Sequence, residues 1–273
     1  MMLKALVLDW AGTVVDHGSR APMGAFVRAF AHFGVTVSIA DARGPMGMAK
    51  RDHIATLMAL PHVAAAWQEA QGSAPDEAAI DKLLAVFEPM NIAAIRDHAD
   101  IIPGALEAIA WARGRGMKIG STTGYTRPIM AELMPLAAAA GYAPDHVVCA
   151  GDLAEGRPGP LMMWHAMAAL GVWPAHTVVK VDDTPPGIGE GVNAGTWTIG
   201  LALTGNICGL SAAELAVLPE AERAPVRARA EAEMRAAGAD MVIDSIADLP
   251  RALVAIEARL ARGERPGGQY QAS

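Results

Sequence analysis

Six short apolar runs, separated by stretches of helical periodicity, constrain this chain more than any other feature. The first, LKALVL at residues 3–8, stops abruptly at Asp9. The others are KIGST (118–122), HVVCA (146–150), TVVKVDD (177–183), TWTIGL (196–201) and DMVID (240–244). Short apolar runs of this kind, partly β-branched, read as strands buried on both faces. Between them lie GALEAIAWARGRG (104–116), PIMAELMPLAAAAG (128–141) and GPLMMWHAMAALG (159–171), each closed by a glycine as helices often are. Strand alternating with helix predicts an α/β fold built on a doubly wound parallel sheet. In such sheets ligands bind beyond the carboxyl ends of the strands, so Asp9, Thr123 and Asp183 are expected to converge on one crevice.

Residues 20–100 break the alternation. They hold the helical segments GAFVRAFAHFG, AKRDHIATLMAL and EAAIDKLLAVFEPMNIAAI and no convincing strand. The expected organisation is a core domain of residues 1–18 and 98–273 carrying an all-helical cap domain at 19–97, hinged near 17–20 and 97–102. Residues 205–237 read as a second, polar helical excursion, 248–262 as an amphipathic helix, and GERPGGQYQAS (263–273) as a frayed tail.

Bulk properties exclude several classes of function. Hydrophobic residues are 52% of the 273, yet no run approaches the roughly 20 apolar residues of a membrane helix, so no membrane partner is expected. The N-terminal MMLKALVLDW lacks a secretory pattern, which points to a cytoplasmic location. Net charge is −7 with the basic residues scattered, so there is no basic face for nucleic acid. Cys149 and Cys208 have no disulfide or zinc spacing and read as core or loop residues.

Four motifs sit at the ends of predicted strands. Asp9, followed by WAGTVVD, places a carboxylate in a glycine-containing loop. STTGY at 121–125 offers hydroxyls and backbone amides beside a glycine, as phosphate oxygens require. In GDLAEGRPGP, Arg157 carries a charge that suits a phosphoryl group. VVKVDDTPPGIGEG ends a strand in two adjacent carboxylates, the oxygen ligands a hard cation such as magnesium takes. Because Asp182 and Asp183 point to opposite sides of an extended chain, at most one is expected to face a metal directly. Each motif alone also suits an ordinary cap, turn or loop. Together, in this order, they resemble the haloacid dehalogenase superfamily over nearly the whole chain.

Members of that superfamily usually carry a second aspartate two residues after the nucleophile as general acid and base, where this chain has Ala11. D-W-A-G-T together with P-M-G-M-A-K-R-D-H in the insert closely resembles the branch of phosphonoacetaldehyde hydrolases, or phosphonatases. That resemblance implies a Mg2+-dependent hydrolase with Asp9 as nucleophile, Lys50 as Schiff-base lysine, and Asp9, the Ala11 carbonyl and Asp183 as metal ligands. It implies Thr123, Gly124, Tyr125, Arg157 and Met46 as substrate-binding residues, and a homodimer through the cap helices. His53, three residues after Lys50, falls on the same helical face and is a candidate for proton transfer. Where many relatives carry a further aspartate, this chain has Gly187, and Glu190 or water is the expected replacement. Whether Arg157 or Lys180 lies nearer the phosphoryl group is open on spacing, with the resemblance favouring Arg157.

Cleaving a carbon–phosphorus bond leaves electrons on carbon, so the reaction needs an electron sink, which an imine on Lys50 would supply. The nearest alternative is a superfamily phosphatase acting on a small phosphate ester, and a more distant one is a non-catalytic receiver-like module. Loss of the acid at position 11 argues against the first, because an alkoxide leaving group needs a proton. The lysine-bearing insert argues against the second.

Overall fold

The computed structural model describes residues 2–267. Its strands are β1 (Ala5–Leu8), β2 (Lys118–Thr126), β3 (His146–Ala150), β4 (Val178–Asp182), β5 (Trp197–Leu201) and β6 (Met241–Ile243). All pair in parallel, in the order β3-β2-β1-β4-β5-β6. The chain steps outward from β1 to β2 and β3, then crosses back to β4 on the other side. The order therefore reverses beside β1, and the crevice past the ends of β1 and β4 is the switch point where such sheets bind ligands. β1 and β4 are buried along their whole length, which is why β1 reads as an unbroken apolar run and β4 as an apolar run interrupted by Lys180. β2 runs four residues beyond the expected KIGST, with a register shift against β3 between Thr123 and Thr126. STTGY is thus the end of a strand, not a turn after it.

The insert is helical throughout: α1 (Ala21–His32), α2 (Ile39–Arg43), α3 (Lys50–Met58), α4 (Pro61–Gln71) and α5 (Glu77–Ile95). Ser38 and Asp76 start α2 and α5 by accepting a hydrogen bond from the backbone N–H three residues on. The five helices bury their own apolar cluster of Phe26, Phe30, Ile54, Leu57, Trp67, Leu83 and Phe87. It is separate from the cluster under the sheet, which includes Leu6, Leu8, Trp10, Val181, Ile199 and Leu253. The two connecting segments lie side by side, with the Asp16 N–H donating to the Asp100 carbonyl at 3.2 Å. The Asp16 carboxylate accepts the Arg20 and Ala21 N–H groups, 2.9 Å each, and so holds the start of α1 from the core side.

The sheet is covered by α6 (Ala105–Gly114), α7 (Arg127–Ala139), α8 (Leu161–Leu170), α9 (Pro185–Asn193), α11 (Glu220–Ala236) and α12 (Leu249–Ala261), while α10 (Ala212–Val217) buries no residue. Two expectations need correction. The excursion at 205–237 is helical only from 212: residues 204–210 form a loop that returns to the crevice. The tail is not frayed over its described part, because Glu264 pairs with Arg259 at 2.8 Å and the Gly267 N–H donates to Asp240 at 2.9 Å. Residues 268–273 lie outside the described residues. No described helix is long and apolar enough to cross a membrane.

Candidate active site

At the switch point a pocket is lined by Asp9, Ala11, Thr123, Gly124, Tyr125, Arg157 and Asp183 from the core and by Met46, Gly47 and Lys50 from the insert. Ser19, Pro22 and Thr184 complete the wall. Every expected site residue except His53 is there. His53 stands behind the wall, stacked on Phe26 with ring centroids 3.9 Å apart. Burial, and then the nearby Lys50 charge, push its pKa down to about 2, so the ring is neutral.

Asp9 follows β1 directly. Its Oδ1 accepts from Arg157 Nη2 at 2.8 Å. Burial, then the Asp182 charge, raise its pKa to about 6, against the pull of Arg157 and Lys180. Among the described residues, Asp9, Asp182 and Asp183 alone bring three potential metal-ligating groups together, with ligand atoms all within 4.8 Å of one another. The two adjacent carboxylates have different partners. Asp182 Oδ1 accepts from the Thr184 N–H and hydroxyl at 3.0 and 2.7 Å, and its Oδ2 lies 3.0 Å from Lys180 Nζ and 3.3 Å from Arg157 Nη2. Asp183 Oδ2 accepts the Asn206 N–H at 2.7 Å, while its Oδ1 is buried with no partner. Burial and the charges of Asp9 and Asp182 raise the Asp183 pKa well above its ordinary value. A buried orphan oxygen among mutually repelling carboxylates suits a hard divalent cation.

Beneath these acids lies a network that sequence reasoning largely missed. Lys180 Nζ donates to Thr122 Oγ1 at 2.6 Å and lies 3.2 Å from Glu190 Oε2. Glu190 Oε2 also accepts from Thr122 Oγ1 at 2.8 Å and Arg157 Nε at 3.1 Å. The expectation that Glu190 fills out a metal shell is therefore corrected: it balances two cations. Gly187 is explained differently too, because a Cβ there would run into the Asp182 carboxyl group. Strand alternation along VKVD does put Lys180 and Asp182 on one face, so that part of the network was within reach of the sequence. Lys180 belongs to the layer under the pocket, and Arg157 is the cation on Asp9. Burial opposes the Arg157 charge, but Asp182, Asp9 and Glu190 more than offset this and hold it cationic.

Lys50 opens α3 from the insert side and is only 3% exposed. Its Nζ has the Met46 sulfur at 3.9 Å and the rings of Tyr125 and Phe26 at 5.1 and 5.7 Å. Burial drives its pKa down to about 8. Its place at a helix N-terminus, where the dipole disfavours a cation, acts in the same direction. The loop that carries Met46 is pressed against the core. Gly47, at φ +91°, has Thr184 where a side chain would be, and its carbonyl accepts from Arg157 Nη1 at 3.4 Å. Tyr125, buried among Asp16, Asp9 and Asp183, has its phenol pKa raised well above normal and stays protonated.

Residues 3–195 match the family model of haloacid dehalogenase-like hydrolases. The chain is 54% identical to the phosphonoacetaldehyde hydrolase of Paraburkholderia xenovorans over 97% of its own length and 99% of that protein's. It is 51% identical to the one from Aeromonas hydrophila, over 97% and 95%. The crystal structure of a phosphonoacetaldehyde hydrolase-like protein from Oleispira antarctica superposes with a TM-score of 0.96 at 39% identity, covering 97% of this chain and 96% of that one. By its sequence, its sheet order and its site, the chain belongs to the phosphonoacetaldehyde hydrolase branch of the haloacid dehalogenase-like hydrolases.

Proposed function

We propose that the chain hydrolyses phosphonoacetaldehyde to acetaldehyde and phosphate, with Lys50 forming an imine and Asp9 taking the phosphoryl group. The observation that carries this reading is a buried lysine with no carboxylate partner, its pKa brought to about 8, facing the same pocket as Asp9. Lys50 gives up one ammonium proton and adds to the aldehyde carbon, and that proton returns to the carbinolamine oxygen as it leaves as water, giving an imine that is protonated on nitrogen. An Asp9 oxygen then bonds to phosphorus as the carbon–phosphorus bond breaks, and the electron pair moves through carbon to the iminium nitrogen as an enamine. Protonation at carbon and hydrolysis release acetaldehyde and free Lys50, and water cleaves the aspartyl-phosphate. His53, with its pKa held near 2 by burial, is too weak a base to take the amine's proton, so water is the acceptor and His53 supports Lys50 by packing behind the wall.

Mg2+ fits the acidic cluster, with Asp9, Asp183 and the Ala11 carbonyl as its protein ligands and charge neutralisation of the phosphonate as its contribution. Arg157, released from Asp9 by the incoming dianion, orients the phosphoryl group, and the backbone at Thr123 and Gly124 receives its oxygens. Met46 and Tyr125 keep the lysine dry. Because the pocket wall is shared between core and insert, residues 19–97 act as a cap domain that opens to admit substrate and closes to exclude water. A cytoplasmic homodimer joined through the cap helices completes the reading. Two free cysteines agree with a reducing compartment, and equilibrium sedimentation tests the dimer.

The phosphate-ester alternative is disfavoured by the pocket itself. Its wall holds two carboxylates, Asp9 and Asp183, and neither is left to protonate an alkoxide. The test is acetaldehyde release from phosphonoacetaldehyde with Mg2+, in the wild type and in Lys50→Ala at matched folding. Activity confined to the wild type supports the imine route. Activity surviving in the variant removes Lys50 from the chemistry, and an inactive wild type that hydrolyses phosphate esters overturns the substrate.

A further inference from the structure

Among the described residues, Arg43, the last residue of α2, is the one insert side chain that reaches the 204–210 loop through several hydrogen bonds at once. Its Nη1 donates to the Asn206 carbonyl at 2.8 Å, to Asn206 Oδ1 at 3.1 Å and to the Gly18 carbonyl at 3.1 Å. Its Nη2 donates to the Gly209 carbonyl at 3.2 Å, and Asn206 Nδ2 returns a bond to the Arg43 carbonyl at 3.2 Å. Insert, linker and core loop are therefore pinned at one guanidinium, whose planar fork suits several acceptors in fixed directions. Gly209, at φ +69°, has that guanidinium where a side chain would be, so the loop is shaped around it.

The same Asn206 touches the candidate metal centre. Its backbone N–H is the donor to Asp183 Oδ2 at 2.7 Å, while Oδ1 of the same carboxylate is buried without a partner. The Asn206 side chain is engaged by the insert and its main chain by the metal carboxylate, and the residue is 4% exposed. Anything that releases Arg43 frees the loop, and a free loop no longer fixes the orientation of Asp183. A partner that orients a ligating carboxylate changes metal affinity without touching the metal.

We infer that Arg43 and Asn206 are positioning residues that couple closure of the insert to cation binding: the closed insert sets Asp183 for the ion, and the bound ion favours the closed insert. The second half follows from the first, because a coupling free energy between two events is reciprocal. The inference rests on the proposed cap closure and cation site, and Mg2+ binding without substrate tests it separately from the phosphonate chemistry.

The experiment uses metal-free full-length protein and Mg2+ as the only ligand. Calorimetric titration is expected to give about tenfold weaker Mg2+ binding in Arg43→Ala and in Asn206→Ala than in the wild type. The double variant is expected to lose little more than either single one, since the two residues act in one chain of contacts. Small-angle scattering is expected to show Mg2+ compacting the wild type but not Arg43→Ala. A purely structural role would lower thermal stability and leave Mg2+ affinity unchanged. That outcome, or independent and additive losses in the double variant, overturns the inference. If Arg43→Ala does not fold, Asn206→Ala carries the test by the same titration and scattering.

Discussion

Core and insert each bury a lysine, and they treat it in opposite ways. Lys180, in β4, is fully buried with Thr122 Oγ1 at 2.6 Å and the carboxylates of Asp182 and Glu190 at 3.0 and 3.2 Å. Lys50, in α3, is buried to nearly the same degree with a thioether and two aromatic faces for company. Burial alone disfavours an ammonium group, and opposite charge restores it. The core supplies that charge, placing two carboxylates against its lysine beneath the pocket. The insert withholds it and keeps an amine that gives up its proton near neutral pH. Burial therefore does not define a lysine's role; the groups around it do.

The comparison breaks most visibly if Lys180 is removed. Lys180→Met leaves Asp182 and Glu190 short of a partner in a dry interior, and urea unfolding is expected to show a loss of about 3–5 kcal/mol. A loss well under that would mean that Arg157 alone balances both acids. Lys50→Met should do the reverse and raise stability at pH 7 by about 1–3 kcal/mol, because the buried, unpaired ammonium is replaced by an apolar chain of similar length. The same variant should be inactive. Stability unchanged or lowered would show that Lys50 is not strained by its site.

The pH dependence sharpens the contrast. The Lys50 pKa is depressed from 10.5 to about 8, so the folded protein sheds this proton while the unfolded chain still holds it. Stability from this group therefore rises with pH between about 8 and 10.5, and the rise should be missing in Lys50→Met. By the same sign, borohydride trapping of the imine should speed up as pH climbs toward 8 and level off above it. A flat profile from pH 6 to 9 would argue that Lys50 is already neutral. The smallest effect is expected at His53: His53→Gln disturbs only the packing behind Lys50 and should slow imine trapping by less than about tenfold. A larger loss confined to imine trapping would restore His53 to proton transfer.

Sequence alone carried the strand–helix alternation, the helical insert and most of the pocket, because buried parallel strands read as apolar runs and the reacting groups stand at their ends. Residues whose importance comes from long-range pairing stayed hidden. Thr122 lay inside a motif read for its neighbours, and Asn206 lay in a stretch read as helix. Glu190 was weighed against water as a metal ligand, because spacing along α9 cannot reveal that its carboxylate turns toward Arg157 and Lys180. The fork of Arg43 spans 163 positions in sequence, and no local pattern marks it.

The insert and the sheet have separate apolar clusters, which bears on how such a chain changes over generations. A substitution that repacks Phe26 or Leu57 alters the surroundings of Lys50 and leaves the packing beneath Asp9 and Asp183 untouched. Separate packing lets the insert change its apolar interior without disturbing the interior of the sheet.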